Sequence, residues 1–280
     1  MQTQTNPLII AHRGASAFAP ENTLAAFRKA IADGAEGVEF DVRLAKDSVP
    51  VVFHDATLSR VSGERGLVKH FTSEELQKID VGSWFNRRKT ETTNEDFSGE
   101  TISTLMQVLD FLRDYKGLIY IELKCRARKI EQITKVVCRI IADSHLLPQI
   151  IVKSFQLEFI PQIRRILPQA QTAALFAPKI MTILRKEKRL IEIANELKAN
   201  QISIHYSLAT QRLMEKAGKE NLPVTIWTID NPRWVRRAAE MGISAIITNN
   251  PARLLAERQI FSSENKNRTR TNADLMNLHG

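Results

Sequence analysis

Short apolar runs alternate with helical stretches along nearly the whole 280-residue chain, about eight times and at intervals of roughly 30 residues. That alternation predicts an α/β protein with a parallel sheet, and eight units suit a closed (β/α)8 TIM barrel. The competing arrangement is an open, doubly wound sheet. No glycine-rich fingerprint follows the first strand, where Gly14 stands alone, so a dinucleotide site of the kind such sheets carry has little support.

The first strand covers residues 8–14, and a helix follows over 22–33 with Pro20 ahead of it and Asn22 as its expected N-cap. Two strand-like runs, 37–45 and 49–54, count as one long or doubled strand. Residues 56–101 are rich in Ser, Gly, Thr and charge, with one short helical stretch at 73–79. They read as a small insertion after the second strand. Helix 104–115 and strand 118–124 resume the alternation, followed by helix 128–144, strand 150–155, helix 157–167 and strand 172–176. Helix 182–198, strand 201–206, helix 210–220, strand 223–229, helix 232–241, strand 245–248 and helix 251–258 complete it. The barrel domain is therefore expected over 1–261, and the polar stretch 262–280 as a disordered tail.

Hydrophobic residues make up 43% of the chain and charged ones 25%, values that exclude a mainly disordered protein. No run approaches the ~18 uninterrupted apolar residues of a membrane span. Residues 1–7 are polar and uncharged, and His12 and Arg13 break the apolar stretch after them, so no secretory signal is read there. Cys125 and Cys138 are too few for a disulfide framework, and a reducing, cytoplasmic location is expected. Forty Lys and Arg against 31 Asp and Glu leave a net charge of +9, which attracts anions without saying which.

Charges on strands are more informative. Barrel strands face helices on one side and a packed interior on the other, so both faces should be apolar. In 38–43 alternation places Val38, Phe40 and Val42 on one face and Glu39, Asp41 and Arg43 on the other. The apolar set belongs against the helices, which points two carboxylates into the barrel. Residues 119–124 repeat the device, with Glu122 and Lys124 opposite Ile119, Ile121 and Leu123. Three carboxylates on neighbouring strands need compensation. Either a hard cation such as Mg²⁺ or Ca²⁺ sits between them, or Arg43 and Lys124 balance them in an internal salt-bridge network.

His12 ends the first strand beside Arg13, and His54 ends the run 51–53 beside Asp55. Both fall at carboxyl ends of expected strands, where such barrels place their chemistry. The combination suits phosphoryl transfer. A metal and Arg13 would neutralise phosphate oxygens, Lys124 would add charge, and two imidazoles would pass protons near neutral pH.

These residues closely resemble the glycerophosphodiester phosphodiesterase family. The resemblance rests on His12-Arg13-Gly14, Pro20-Glu21-Asn22-Thr23, Glu39-Phe40-Asp41-Val42, Lys46-Asp47 and Val51-Val52-Phe53-His54-Asp55. Weaker echoes follow in Gly82-Ser83-Trp84-Phe85, Glu122-Leu123-Lys124, Ser154-Phe155, Trp227-Thr228 and Ile247-Thr248. It implies a (β/α)8 barrel with an insertion after the second strand and hydrolysis of glycerophosphodiesters to glycerol 3-phosphate and a free alcohol. It further implies Glu39, Asp41 and Glu122 as ligands of one divalent cation and His12 and His54 as the acid/base pair. Arg13 and Lys124 match phosphate contacts, and Trp227 an aromatic residue lining the substrate pocket. The chain departs from the pattern at Ser48, where glycine is usual, and at Ile102-Ser103-Thr104-Leu105, which lacks a common proline. Asp230 stands where asparagine is frequent, and Asn249 where aspartate is usual.

Other candidates weigh less. His205 reads as a satisfied core histidine, and Lys153 either as a snorkelling surface lysine or as an anion contact beside Ser154. Glu21 and Asn22 either orient Arg13 or start the first helix. The basic run at 185–189 reads as a solvated helix face or, second, as a contact with anionic membrane. The partner expected is a small glycerophosphodiester, with no nucleic acid and no stable membrane insertion. A lysophospholipase D acting at a membrane is the alternative enzyme, which an exposed apolar rim near Trp84 and Phe85, beside Arg87-Arg88-Lys89, would favour. A basic barrel binding nucleic acid would instead bind DNA in a salt-sensitive way without turnover.

Overall fold

The computed structural model describes residues 6–88, 95–179 and 187–277. Its strands are β1 (Leu8–His12), β2 (Gly37–Leu44), β3 (Pro50–Val52), β4 (Leu118–Leu123), β5 (Ile150–Ser154), β6 (Gln171–Phe176), β7 (Gln201–His205), β8 (Val224–Trp227) and β9 (Ala245–Thr248). All but β3 run parallel, and β1 pairs with both β2 and β9, which closes the ring. The helices between them are α1 (Leu24–Ala32), α2 (Leu105–Phe111), α3 (Ile130–Ala142), α4 (Phe159–Ile166), α5 (Glu187–Glu196), α6 (Gln211–Lys219), α7 (Arg233–Met241) and α8 (Pro251–Asn277). The fold is the closed (β/α)8 barrel the sequence predicts.

Alternation sorts the strand residues as expected. Ile9 and Ala11 of β1, Val38, Phe40 and Val42 of β2, and Ile119, Ile121 and Leu123 of β4 face outward into the core under the helices. Ile10, Tyr120, Ile151, Ala245 and Ile247 fill the barrel interior. That apolar plug forms a floor, so the polar residues nearer the strands' carboxyl ends gather above it.

Four local details differ from the sequence reading. First, β3 is not a barrel strand: it pairs antiparallel with β2, Val42 opposite Val52 and Leu44 opposite Pro50. The hairpin between them turns through Ser48 at φ 65°, the left-handed region that explains why glycine suits this position. His54 thus reaches the barrel mouth from a hairpin and not from the carboxyl end of a barrel strand. Second, Thr23 and not Asn22 caps α1, accepting from the Ala26 amide. Third, Trp84 joins the separate core of the insertion with Val61, Val68, Leu76 and Val81. Its indole N–H donates to Val81 O at 2.7 Å, and Phe85 packs edge-on against it. This pair does not form the exposed rim that would favour the membrane-acting alternative.

The fourth difference is at the end. Helix α8 continues to Asn277 where a disordered tail is expected from 262. No glycine or proline occurs over 252–277 to stop it, and Arg236 of α7 pairs with Glu264 at 2.6 Å. The start of the expected 182–198 helix, part of the basic run at 185–189, Lys89 and His279 lie outside the described residues. Cys125 and Cys138 are both free. Among the described residues no helix is long and apolar enough to cross a membrane.

Candidate active site

Register brings the charged residues together. Asp41 of β2 lies opposite Glu122 of β4, Glu122 opposite Lys153 of β5, and His12 of β1 opposite Glu39. Neighbours in register share a face, so all of these point into the barrel. One oxygen from each of Glu39, Asp41 and Glu122 lies within 4.8 Å of the others, and all three residues are buried.

Cations surround the triad. Lys153 Nζ stands 2.9 Å from Glu39 Oε1 and 4.0 Å from Glu122 Oε2. Lys124 Nζ is 3.2 Å from Asp41 Oδ1, and Arg13 Nε is 3.0 Å from Asp41 Oδ2. Burial raises the Asp41 pKa, but Lys124 and Arg13 outweigh it and hold this carboxyl well below its usual range. Lys153 overcomes burial at Glu39 in the same way. Glu122 goes the other way: burial, helped by the neighbouring Asp41, pushes its carboxyl up despite Lys124 and Lys153. Lys124 Nζ also lies 2.5 Å from Glu122 Oε1, so one ammonium is shared between Asp41 and Glu122. Converging hard oxygens, with Glu122 kept from ionising freely by burial and by its neighbour Asp41, fit a Mg²⁺- or Ca²⁺-sized cation. Arg43 is not part of this balance, because its Nε donates to His54 O at 2.7 Å. Lys153 takes the place the sequence gives to Arg43.

The two imidazoles flank the triad. His12 Nε2 is 3.9 Å from Glu39 Oε2, and its Nδ1 lies 2.7 Å from Asn249 Oδ1. Asn249 Nδ2 donates to Asp230 Oδ2 at 2.7 Å, and Asp230 Oδ1 accepts from the Asn249 amide at 2.8 Å. With its NH2 committed to Asp230, Asn249 can only accept from His12. Nδ1 therefore carries the hydrogen and Nε2 keeps a lone pair. Burial, with help from Arg13, lowers the His12 pKa against Glu39 and the Asn249 bond. His54 Nδ1 lies 2.6 Å from Asp55 Oδ1. Burial lowers its pKa as well, opposed chiefly by Asp41 and also by Asp55.

A chain of ion pairs ties the two sides. Asp55 Oδ2 accepts from Arg60 Nε at 2.5 Å, Arg60 reaches Glu21 at 2.6 Å, and Glu21 holds Arg13 Nη1 at 2.9 Å. Arg13 sits at φ 55° and its amide donates to Glu39 Oε2 at 3.2 Å. The next residue must be glycine, because a Cβ on Gly14 (φ 79°) would lie 2.6 Å from Ala26. Backbone strain of this kind persists where the surroundings over-determine it, as they do here. Asn22, released from capping, donates to Asp41 Oδ2 at 3.1 Å and accepts from the Asp41 amide.

Trp227 ends β8 across the mouth, edge-on to Phe155 at 5.8 Å and to His205 at 5.3 Å. His205 also stacks on Tyr206 and bonds Ser207 Oγ at 2.7 Å. It belongs to this aromatic side of the opening and not to the core.

Sequence reasoning leaves three contributors open or unnamed. Lys153 is readable from alternation, since Ile150 and Val152 face outward. Asn22 is assigned there to a cap, and the contact of Asn249 with His12 spans 237 positions, which no local pattern exposes.

Cationic groups and two imidazoles gathered beside a carboxylate triad at the mouth of a barrel are the kind of site a hydrolase of phosphate esters needs. Residues 12–253 match the model of the Glycerophosphoryl diester phosphodiesterase family, and the chain belongs to that family. It is 35% identical over 243 residues to YhdW of Bacillus subtilis, covering 87% of this chain and 94% of that protein. Identity to the glycerophosphodiester phosphodiesterase of Caldanaerobacter subterraneus is 32% over 251 residues, 89% and 96% of the two chains. Among solved structures, an Oleispira antarctica phosphodiesterase in complex with its product sn-glycerol-3-phosphate superposes with a TM-score of 0.78 at 25% identity. That match covers 90% of this chain and 96% of the other.

Proposed function

We propose that this enzyme hydrolyses glycerophosphodiesters to sn-glycerol 3-phosphate and a free alcohol, using His12 and His54 as proton carriers. One divalent cation, Mg²⁺ or Ca²⁺, would be held by Glu39, Asp41 and Glu122. The observation that carries the reading is the placement of both imidazoles beside one buried carboxylate triad, where each acts on the Asp41 carboxylate. When bound, the cation supplies Lewis-acid charge to the phosphate and to the attacking oxygen.

Arg13 and Lys124 hold the phosphate oxygens, and Trp227 with Phe155 walls the glycerol side. His12 begins as base. Its Nε2 lone pair faces the triad, its Nδ1 is engaged by a neutral amide, and burial disfavours its charged form. His54 begins as acid: burial lowers its pKa too, but it has the Asp55 carboxylate on Nδ1 where His12 has a neutral amide, so of the two it is the better placed to carry the proton. The glycerol C2 hydroxyl is the nucleophile, already tethered one carbon from the bridging oxygen. Its proton passes to His12 as its oxygen bonds phosphorus, and His54 protonates the leaving alcohol as the P–O bond breaks. Water then opens the cyclic phosphate with the two roles reversed.

The test is release of sn-glycerol 3-phosphate from glycerophosphodiesters, with and without chelator. Absence of turnover on every glycerophosphodiester in the presence of Mg²⁺ or Ca²⁺ would refute the substrate class.

A further inference from the structure

A cavity of about 340 Å³ opens beside the catalytic groups, between the β2–β3 hairpin, the start of the insertion and the loop from β4 to α3. Seven of its fifteen lining residues are Lys or Arg, and none is Asp or Glu. Lys124 and Arg43 form its inner wall. Lys124 faces the carboxylate triad, while Arg43 is half-buried and its guanidinium is held by the His54 carbonyl alone, without an ion pair among the described residues. Lys46, Lys69, Arg126 and Arg128 stand exposed around the outer wall.

Like charges lining a concave volume repel one another, and the low-dielectric walls focus their field into the space between them. The complement of such a space is an anion. The scissile phosphate is not that anion, because Arg13, Lys124 and the triad place it over the barrel axis. The cavity is thus suited to a second anionic group on the same molecule. Its position says which end. It reaches His54, which protonates the leaving oxygen in the reading above, through Arg43, whose Nε donates to the His54 carbonyl, and neither Trp227 nor Phe155, which wall the glycerol side, lines it.

We propose that this cavity binds a phosphate monoester carried on the leaving alcohol, so that the preferred substrates are glycerophosphodiesters with a second, terminal phosphate. The volume falls within the range of small-molecule sites and accommodates a phosphorylated three-carbon alcohol. The assignment of the leaving-group side rests on the proposed function, whereas the charge of the cavity does not.

Two non-hydrolysable phosphonate analogues test it, each with a methylene in place of the scissile bridging oxygen. One ends in a free hydroxyl and the other in a phosphate monoester on the leaving-group side. In calorimetric titrations at about 50 mM salt, the phosphorylated analogue should bind about tenfold tighter or more, and the advantage should shrink as salt rises. The double variant R126E/R128E should lose that preference while binding the unphosphorylated analogue within about twofold of wild type. Where charge reversal compromises folding, R126Q/R128Q should show the same loss in smaller measure. Equal binding of the two analogues by wild type, or a preference retained in the variants, would overturn the proposal. Equal analogue binding together with Arg126-dependent capture of phosphatidylglycerol vesicles would also overturn it and assign the charge to a membrane surface. A protein that turns over no glycerophosphodiester yet keeps the Arg126-dependent preference would lose the proposed function and retain the cavity.

Discussion

Asn249 accepts a hydrogen bond from His12 Nδ1 at 2.7 Å while donating its own NH2 to Asp230 at 2.7 Å. An amide, not a carboxylate, thus backs the imidazole, and the acid stands one residue further away. The two departures from the family pattern noted above, Asp230 and Asn249, meet in this chain, each hydrogen-bonded to the other.

The pH dependence should follow from that arrangement. Burial lowers the His12 pKa from its ordinary value of 6.5. A base works deprotonated and an acid protonated, so kcat/KM should rise with pH through an acid limb set by His12 below 6.5 and fall again through an alkaline limb as His54 loses its proton. The double swap D230N/N249D puts a carboxylate on the Nδ1 hydrogen, stabilises the imidazolium and should move that limb to higher pH. An acid limb that does not move would show that His12 is not the group being titrated.

The proton carriers and the phosphate grip should separate in kinetics. His12→Ala and His54→Ala should each lower kcat by about 10²-fold or more. Arg13→Lys should also be damaging, because one ammonium cannot span Glu21 and Asp41 while presenting a planar fork to phosphate. Near-normal kcat across the pH range in either histidine variant would remove that residue from its role.

Much of this site was legible because a barrel strand has so few reasons to carry charge. Glu39, Asp41 and Glu122 break the rule that both faces are apolar, and alternation alone turns them inward. The same logic reaches Lys153, but a lysine at a strand end snorkels so readily that its burial depends on Glu39, one strand beyond its neighbour β4. Arg43 shows the limit of alternation: it shares a face with Asp41, yet the hairpin curls back and its guanidinium is taken by His54 O. Asn22 and Asn249 were out of reach for another reason. Their side chains are placed by loops whose paths depend on the closed ring. The polarity of 262–280 reads as a frayed or disordered tail, whereas nothing in the composition of 252–277 stops a helix, and α8 runs to Asn277.

The triad should behave as a metal site with an unusual apo form. Burial and Asp41 raise the Glu122 pKa. Ionised Glu122 therefore costs stability without metal, a cost that is absent below the unfolded carboxylate range and grows as pH rises through the raised value. Chelation should abolish turnover and Mg²⁺ or Ca²⁺ should restore it. Metal affinity should climb with pH as Glu122 gives up its proton. E122Q should leave the apo protein at least as stable as wild type while abolishing the rise in Tm that metal gives. Full activity in excess chelator after dialysis, or a metal-induced Tm rise kept by E122Q, would contradict the assignment.

Lys153 and Glu39 form an ion pair 2.9 Å long with both side chains almost wholly buried. Removing one partner of such a pair strands the other charge. K153M should therefore cost about 3 kcal/mol in denaturant unfolding of the apo protein, and added Mg²⁺ or Ca²⁺ should recover part of it by taking over Glu39. A loss below about 1 kcal/mol would mean that water or His12 already compensates Glu39.

The order of bond making can be decided with a single substrate change. If the glycerol C2 hydroxyl attacks phosphorus, a diester built on 1,3-propanediol lacks the nucleophile but keeps the phosphate, the leaving alcohol and the C1 hydroxyl. Arg13 and Lys124 should still grip its phosphate, so binding should persist while kcat falls steeply. Intramolecular attack draws its advantage from the tethered oxygen, and His12 would then have no hydroxyl proton to remove. Direct attack by water makes the opposite forecast, because His12 would activate a solvent molecule equally well for either substrate. Comparable kcat for the glycerol and propanediol diesters would end the cyclic-phosphate route and leave His12 as the base for water.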